Sequence, residues 1–545
     1  MSNRPQAASS AEAITAQPNS SAQASNAQAS NKWRTPLALL SGALLPLSFA
    51  PFNIWAAAFV GLGLAYWLIK DVTTWRRGFA IGWFIGVGKY AVGASWIYVS
   101  IHEQGGASES LAGVLVGLFV AGMALFSGFF GALFGLTNAT IAVDEPRGRQ
   151  NLWLKRGFSV VLFAACWVIA EWCLTWLLTG FPWLFVGYGL MPIWFAGYAP
   201  MVGALGLSLL VCLVAASLVH WGEQMRARRG GEHQLTAVDR FAVPLLCLVL
   251  LGGGYGAGQI SWVTLGDGAR VALVQGNIEQ LTKWQPESVQ PILTTYQTLS
   301  EPHWGTELMI WPEASITLFR EQATPLLNRW DLRGKATNTA LLLGLPDVER
   351  QADGHGSFQN TALAVGTGSG RYSKRRLVPF GEYVPLESVL RGLISFFDLP
   401  MSRSSSGPEV QPPMRAGAVT LGLAICYEIA YPELVRKSAE TSEVLVTISN
   451  DSWFGASIGP HQHLQLAQMR ALENSRYVLR ATNNGVTAII DPRGELVSTL
   501  PQFEPGVLTG AYYPATGHTP FTRFGHGPVL IMAFGLLLGG ILRHV

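Results

Sequence analysis

Three segments of this 545-residue chain end an apolar run on side chains that can do chemistry. They are WPE at 311–313, ending on Glu313; RYSKRRLVPFGEYVP at 371–385, carrying Lys374 and Glu382; and AICYE at 424–428, carrying Cys426 with Tyr427 and Glu428 behind it. A cysteine nucleophile needs a base to take its proton and a positive neighbour to hold the thiolate. A glutamate supplies the base. A lysine supplies the charge and can also bond the oxyanion that forms when a carbonyl is attacked. The N–H of Tyr427, directly after the sulfur, is the natural second oxyanion donor. Each residue alone has a plainer reading: Cys426 as a small buried side chain, Glu313 as a surface acid after a strand, Lys374 as a solvated base in the run KRR. What sets Cys426 apart is its surroundings. The other four cysteines, Cys166, Cys173, Cys212 and Cys247, lie in apolar runs, where a thiol packs as a small hydrophobe. No CxxC spacing is present, so a structural zinc is not expected, and no GxxxxGK(S/T) or GxGxxG element appears in a suitable context, so no cofactor is expected either.

The elements that must position these residues lie between 268 and 515. Short β-rich runs recur at 270–278, 307–314, 340–347, 360–365, 419–428, 443–451 and 485–492. Several are nearly continuous apolar runs, as suits strands buried in a layered sheet. Helical candidates at 286–300, 321–336, 430–440 and 460–475 alternate with them. That alternation predicts a single α/β domain.

The rest of the chain is different in kind. Hydrophobic residues make up 49% and charged residues 13% of the whole, about half the charged share of an ordinary soluble domain. Mean hydropathy is +0.29. Eight apolar segments can cross or nearly cross a bilayer: 36–50, 54–69, 78–100, 111–141, 158–178, 197–221, 241–260 and 526–543. The first two are short for a ~20-residue span. Lys and Arg cluster at 32–34, 70–77, 147–156, 226–240 and 543, while the connections 51–53, 101–110 and 179–196 have none. The positive-inside rule then puts both termini and the basic loops in the cytoplasm and the α/β domain on the outer face. The predicted organisation is a polar, disordered tail over 1–34, a seven-helix transmembrane bundle over 35–262, the outer catalytic domain over 263–520 and an eighth membrane helix over 521–545. A net charge of +3 gives no sign of a nucleic-acid partner. Lys89, inside the third span, is costly there unless paired, and Glu171 in the fifth span is its candidate partner.

The order Glu, Lys, Cys on strand ends resembles the nitrilase superfamily, whose fold is an αββα sandwich. More narrowly, the chain resembles the apolipoprotein N-acyltransferase family. The matching strings are TGFPWLFVGYG (179–189), VQGNIEQLTKW (274–284), IWPEA (310–314), VPFGEYVPLE (378–387), CYE (426–428), NDSWFG (450–455), GPHQHLQLAQMRALENSR (459–476) and RATNNGVTA (480–488). The resemblance implies a bacterial inner-membrane enzyme, monomeric, with a periplasmic catalytic domain. It implies transfer of an acyl chain from a phospholipid, commonly phosphatidylethanolamine, to the free α-amino group of a lipoprotein's N-terminal diacylglyceryl-cysteine. Carried over residue by residue, Glu313 is the general base, Lys374 the thiolate and oxyanion stabiliser and Cys426 the nucleophile. Glu382 supports them, Tyr427 and Glu428 line the site, and Trp284 helps hold substrate. The apolar run 390–401, with Leu393, Ile394, Phe396 and Phe397, is a candidate arm dipping into lipid. His461 and His463 lack a third metal ligand at helical spacing and read as structural or hydrogen-bonding residues. Asn483 and Asn484 before Gly485 read as a turn. Two competing readings keep the same residues: a membrane-tethered amidohydrolase that passes the acyl group to water, and a scaffold that has lost activity.

Overall fold

A computed structural model of the chain describes residues 33–142, 149–229, 237–350, 356–383 and 404–542. The polar tail and the candidate arm at 390–401 lie outside the described residues. The apolar half forms α1 (Arg34–Leu44), α2 (Ala56–Ile69), α3 (Trp75–Gly93), α4 (Trp96–His102), α5 (Glu109–Ala142), α6 (Arg149–Cys173), α7 (Ala199–Arg229) and α8 (Ala237–Gly258). In the α/β half the helices are α9 (Val289–Ser300), α10 (Arg320–Thr337), α11 (Pro432–Glu440) and α12 (Gly459–Asn474), followed by α13 (Pro520–Phe524) and α14 (Gly527–Leu542).

Every one of the eight predicted apolar segments is helical, but their lengths divide them. Among the described residues three helices are long and apolar enough to cross a membrane, Glu109–Ala139, Trp194–Ala227 and Arg240–Gly258. A fourth is reached if α3 and α4, bent by 61°, count as one. The physical reason for the shortfall is local. Helix α1 ends after 11 residues, where Pro46 enters a 3-10 turn over Leu45–Ser48, because proline cannot continue the ladder. Helices α2 and α14 have 14 and 16 residues, below the ~20 that a perpendicular span needs. The bundle packs through small residues. A Cβ at Gly78 would lie 2.0 Å from the Gly131 carbonyl oxygen, so α3 and α5 touch backbone to backbone, as small residues allow in membrane helices. Leu118 and Leu125 of α5 and Leu245, Leu248 and Val249 of α8 face outward, where only lipid makes an apolar surface favourable.

The α/β half has two main sheets. One runs β14-β2-β3-β4-β5-β7, the other β13-β12-β11-β10-β9-β8-β6. Their members are β2 (Ala269–Gln275), β3 (Leu308–Ile310), β4 (Ala340–Arg350), β5 (Gly356–Gly366), β6 (Gly368–Ser369), β7 (Arg371–Ser373), β8 (Met414–Ala416), β9 (Val419–Ile425), β10 (Val444–Ser449), β11 (Val478–Thr482), β12 (Ala488–Ile490), β13 (Leu496–Thr499) and β14 (Gly506–Tyr512). A small pair, β1 (Thr264–Leu265) and β15 (Ala515–Thr516), ties the two ends of the domain together. The centre of each main sheet is parallel, β2-β3-β4 in one and β9-β10-β11 in the other.

Period-two burial sets the layers. Val271 and Leu273 of β2 meet Leu423, Ile425, Val446 and Ile448 of the facing sheet. Their neighbours Ala272 and Val274 point the other way, onto Ile292 and Tyr296 of α9 and Leu327 and Trp330 of α10. The second sheet's outer face packs on α11 and α12, and this core runs without a break into the bundle. The layers are therefore α, β, β, α, with the last helical layer seated on the membrane helices. Contacts fix which end of the bundle carries the domain. Ser100 Oγ donates to the Trp453 carbonyl (2.7 Å), Trp183 Nε1 to Gln462 (2.8 Å) and the Ala204 N–H to Glu473 (2.7 Å). At the far end Lys70 pairs with Glu223 (3.2 Å) and Trp221 Nε1 donates to the Arg240 carbonyl. The Lys89–Glu171 pairing is present: the ammonium lies 3.6 Å from Oε1, both residues are buried, and the carboxylate also accepts from Trp167 Nε1 and the Val186 N–H at 3.0 Å each.

Candidate active site

The chemically capable side chains gather where strands of both sheets end. Glu313 follows β3, Lys374 follows β7 and Cys426 follows β9, so two sheets contribute to one cluster beyond their carboxyl ends, the usual ligand position in parallel sheets. The turn that carries Glu313 is tightly held: Ala314 has φ +46° and the Trp311 N–H donates to the Leu342 carbonyl at 2.8 Å.

Lys374 Nζ lies 3.2 Å from Glu313 Oε1 and 2.8 Å from Glu382 Oε1. It is 1% exposed, and both carboxylates are 6% exposed. Burial pushes the lysine pKa down, but Glu313, Glu382 and Cys426 outweigh it and carry the pKa well above its ordinary value. The lysine is therefore a fixed ammonium at any physiological pH. Asn360 Nδ2 donates to Glu313 Oε1 (2.7 Å) and lies 3.3 Å from Glu382 Oε1. Glu313 Oε2 accepts the Asn450 N–H at 2.8 Å. Glu382 is fixed in turn by the Val378 N–H on its Oε2 (2.8 Å).

Cys426 is partly exposed and has φ +52°, a left-handed conformation that costs a residue with a side chain ~1–2 kcal/mol. The sharp strand-to-turn bend it makes lifts the thiol out of the sheet. Burial pushes the thiol pKa up and Glu313 pushes it further, while Lys374 opposes them. At rest the sulfur holds its proton and has a carboxylate and an ammonium within electrostatic reach. Burial also raises the pKa of Glu428, although four donors surround it. Its Oε2 accepts from the Ile425 N–H (2.8 Å) and the Tyr372 hydroxyl (2.9 Å), its Oε1 from the N–H groups of Arg375 (2.7 Å) and Arg376 (3.1 Å). Glu428 is fully buried. It braces the residue before Cys426 against the residues after Lys374 rather than presenting a carboxylate to the cleft.

Tyr427 points toward the bundle. Its hydroxyl donates to the Gly180 carbonyl at 3.1 Å and its ring stacks on Trp183 (centroids 6.2 Å, 19°) and Phe181 (6.5 Å, 29°). The FPW turn at 181–183 thus lies directly behind Cys426. Trp284 is 37% exposed.

Several residues that complete the site escape sequence reasoning. Lys283 is fully buried, and its Nζ lies 3.4 Å from the Glu313 carbonyl oxygen. Burial depresses its pKa to about 8, against a raising effect of Glu313. Gln280 accepts from Asn450 Nδ2 at 2.6 Å, and Asn483 Nδ2 donates to Asn450 Oδ1 (3.1 Å) and to Ser452 Oγ (3.0 Å). Asn483 is therefore a buried bridge as well as part of a turn. The only signal in sequence was the polar character of these residues immediately after apolar runs. His463 engages both ring nitrogens with protein, Nδ1 with Asp451 (2.9 Å) and Nε2 with the Cys426 carbonyl (3.1 Å), whereas His461 lies 3.3 Å from Gln502.

Comparison with known proteins separates the two halves. Residues 41–217 match the family described as apolipoprotein N-acyltransferase N-terminal domain, and residues 270–516 match the family described as carbon-nitrogen hydrolase. Over 515 residues the chain is 41% identical to the apolipoprotein N-acyltransferase of Pseudomonas aeruginosa, covering 93% of this chain and 95% of that one. It is 41% identical to the Azotobacter vinelandii protein of the same description (93% and 95% covered) and 38% identical to that of Coxiella burnetii (92% and 99% covered). Among solved structures it is similar to the C. elegans NitFhit protein, with 16% identity, a TM-score of 0.36 and coverage of 52% of this chain and 66% of that one.

Proposed function

The chain belongs to the apolipoprotein N-acyltransferase family, and from that premise we propose that it N-acylates the terminal diacylglyceryl-cysteine of lipoproteins, using a membrane phospholipid as donor and Cys426 as the acyl carrier. The observation that carries the residue assignment is the buried ion cluster Glu313–Lys374–Glu382, gathered at the strand ends that also carry Cys426. In the first half-reaction Glu313 takes the Cys426 proton as sulfur attacks the ester carbonyl of the phospholipid. The oxyanion of the tetrahedral intermediate is held by the Lys374 ammonium and the Tyr427 N–H. Collapse breaks the ester C–O bond. The leaving alkoxide takes the proton from Glu313 and departs as lysophospholipid, leaving a thioester. In the second half-reaction the α-amine of the lipoprotein attacks that thioester and Glu313 receives an amine proton. The C–S bond breaks and the proton returns to sulfur. One pocket serving two substrates in turn predicts ping-pong kinetics. Glu382 and Asn360 keep the ammonium and the base in register, and Trp284 at the rim contacts substrate.

A lipid donor suits the architecture. The nucleophile's turn rests on the FPW segment of the bundle, so the cleft opens where the domain meets the membrane helices. We assign all eight apolar helices to the membrane, the shorter ones spanning with help from their flanking turns. The basic connections, at the end of the bundle remote from the domain, then lie in the cytoplasm and the catalytic domain on the outer face. Phosphatidylethanolamine is the proposed donor and the monomer the working unit. The test uses detergent-solubilised full-length protein, phosphatidylethanolamine with a labelled acyl chain and a synthetic diacylglyceryl-cysteine peptide. Label should appear on the peptide amine, with a stoichiometric amount of lysophospholipid, and only with Cys426 intact. Label released solely as free fatty acid would mean an amidohydrolase-like enzyme that passes acyl groups to water. No label on protein or peptide would mean a scaffold.

A further inference from the structure

Attack on an ester carbonyl needs the Tyr427 N–H aimed at the developing oxyanion. We infer that His463 aims it, as a positioning residue that grips the Cys426–Tyr427 peptide, with Asp451 and Arg480 fixing the histidine from behind. This inference rests on the acyl-transfer reading and extends it to residues that touch neither substrate nor sulfur.

The geometry runs through one peptide plane. His463 Nε2 lies 3.1 Å from the Cys426 carbonyl oxygen. A carbonyl only accepts, so Nε2 carries the hydrogen and donates. A trans peptide is planar, with its C=O and the following N–H pointing opposite ways. Fixing the Cys426 oxygen toward α12 therefore fixes the Tyr427 hydrogen on the side away from it. The grip is needed because Cys426 sits at φ +52°, a conformation that a residue with a side chain leaves readily unless its surroundings hold it.

His463 cannot turn. Its Nδ1, an acceptor once Nε2 carries the hydrogen, takes the Arg480 Nη2 hydrogen at 3.2 Å and lies beside Asp451 Oδ1 (2.9 Å), an oxygen that accepts from Ser449 Oγ at 2.6 Å. Arg480 Nη2 bonds Asp451 Oδ2 at 2.5 Å, and Arg480 Nε reaches the Val486 carbonyl at 3.2 Å. The imidazole stacks on Trp183 of the bundle (centroids 5.3 Å, 29°) and meets Phe454 edge-on (5.7 Å, 78°). His463 and Arg480 are 0% exposed and Asp451 2%. Even the backbone opposite is shaped for the carboxylate: a Cβ at Gly485 would lie 2.3 Å from Asp451 Oδ2. A buried ion cluster of this kind adds little net stability compared with apolar packing. Its link toward the cleft is the carbonyl of the nucleophile. With Nε2 committed to that carbonyl, His463 is placed to orient the turn and not to take the thiol proton.

Two rates measured on the same full-length protein in detergent separate the alternatives. One is acylation of Cys426 by a fluorescent phospholipid, which passes through an oxyanion. The other is alkylation of Cys426 by iodoacetamide, a displacement at carbon that forms none. His463→Leu should slow acylation by about 10²-fold or more, the loss typical of one oxyanion donor, and leave alkylation essentially unchanged. His463→Gln, whose side-chain amide can donate to the same carbonyl, should recover most of the acylation. Where His463→Leu does not fold, His463→Asn, whose amide stops short of the carbonyl, makes the same comparison. Undiminished acylation in the Leu or Asn variant overturns the inference, as does a parallel fall of both rates, which would mean thiol activation or simple scaffolding. If wild-type protein is alkylated but never acylated, the acyl-transfer reading itself fails, a different result from either.

Discussion

Glu428→Gln tests the bracing of the site most quantitatively. Its carboxylate takes four hydrogen bonds, one from the Cys426 side, the Ile425 N–H, and three from the Lys374 side, the Tyr372 hydroxyl and the N–H groups of Arg375 and Arg376. With its nitrogen in the place of Oε2 the amide faces the Ile425 N–H and the Tyr372 hydroxyl; the hydroxyl can rotate to accept, so one bond, from the Ile425 N–H, is lost. A hydrogen bond to a charged group contributes about 1.5–3 kcal/mol. Burial raises the Glu428 pKa, so a neutral side chain recovers part of the desolvation cost and the net loss falls near the lower figure. The lost bond ties the residue before Cys426 to the segment that carries Lys374. About 1.5 kcal/mol spent on relative drift of those groups corresponds to roughly tenfold in rate. The assay is single-turnover acylation of Cys426 by fluorescent phosphatidylethanolamine, with thermal unfolding measured in parallel. A variant that unfolds at lower temperature and acylates about tenfold more slowly is expected. Acylation at the wild-type rate would refute the claim that Glu428 holds the two halves of the site in register.

Three further outcomes are expected. Lys374→Arg should reduce adduct formation by at least about 10²-fold, because a planar guanidinium cannot replace an ammonium packed between two carboxylates at 3.2 and 2.8 Å; normal turnover would falsify the role given to Lys374. Burial raises the Glu473 pKa to about 7, with Glu433 adding to it and Arg470 and the Ala204 N–H opposing. A carboxyl whose folded pKa exceeds its unfolded one contributes stability below about pH 4.5 that is lost as pH passes 7. Unfolding midpoints of the wild type should therefore fall over that window, by on the order of 3 kcal/mol at most, and Glu473→Gln should flatten the slope; an unchanged slope would mean that Glu473 does not titrate there. Lys89→Met should strand the buried Glu171 and cost ~3–5 kcal/mol, with Lys89→Met/Glu171→Gln recovering much of it in thermal aggregation; equal losses in the single and double variants would argue against the pair.

The strand runs that carry Glu313 and Cys426 were legible because apolar runs of four to eight residues give buried parallel strands, and β9 and β10 follow the predicted bounds closely. Strand β11 was not, because Arg480 interrupts VLRAT with a charge whose partner, Asp451, lies on another strand end. Strand β14, GVLTGAY, is only half buried and lacks the alternation that marks a strand. The eight apolar segments, 526–543 among them, were readable from hydropathy, but the helix lengths depend on where Pro46 and the bend between α3 and α4 stop the backbone ladder. In the site, residue type announced Glu313, Lys374 and Cys426. Lys283, Gln280 and Asn360 remained hidden, since their value lies in hydrogen bonds between loops 30 to 170 positions apart. Sequence spacing carries no record of such contacts. Glu428 was read as lining the site from the family resemblance; only its four donors reveal a brace.

The claim on which all of this depends is that the acyl group rests on one sulfur. Intact-protein mass spectrometry after exposure to phosphatidylethanolamine of defined chain length, followed by peptide mapping, tests it most directly. The account predicts a single added acyl mass, removed by hydroxylamine or by the diacylglyceryl peptide, located on the peptide containing Cys426 and missing from Cys426→Ala. An acyl mass on any other residue, or turnover to acylated peptide by Cys426→Ala, would contradict it.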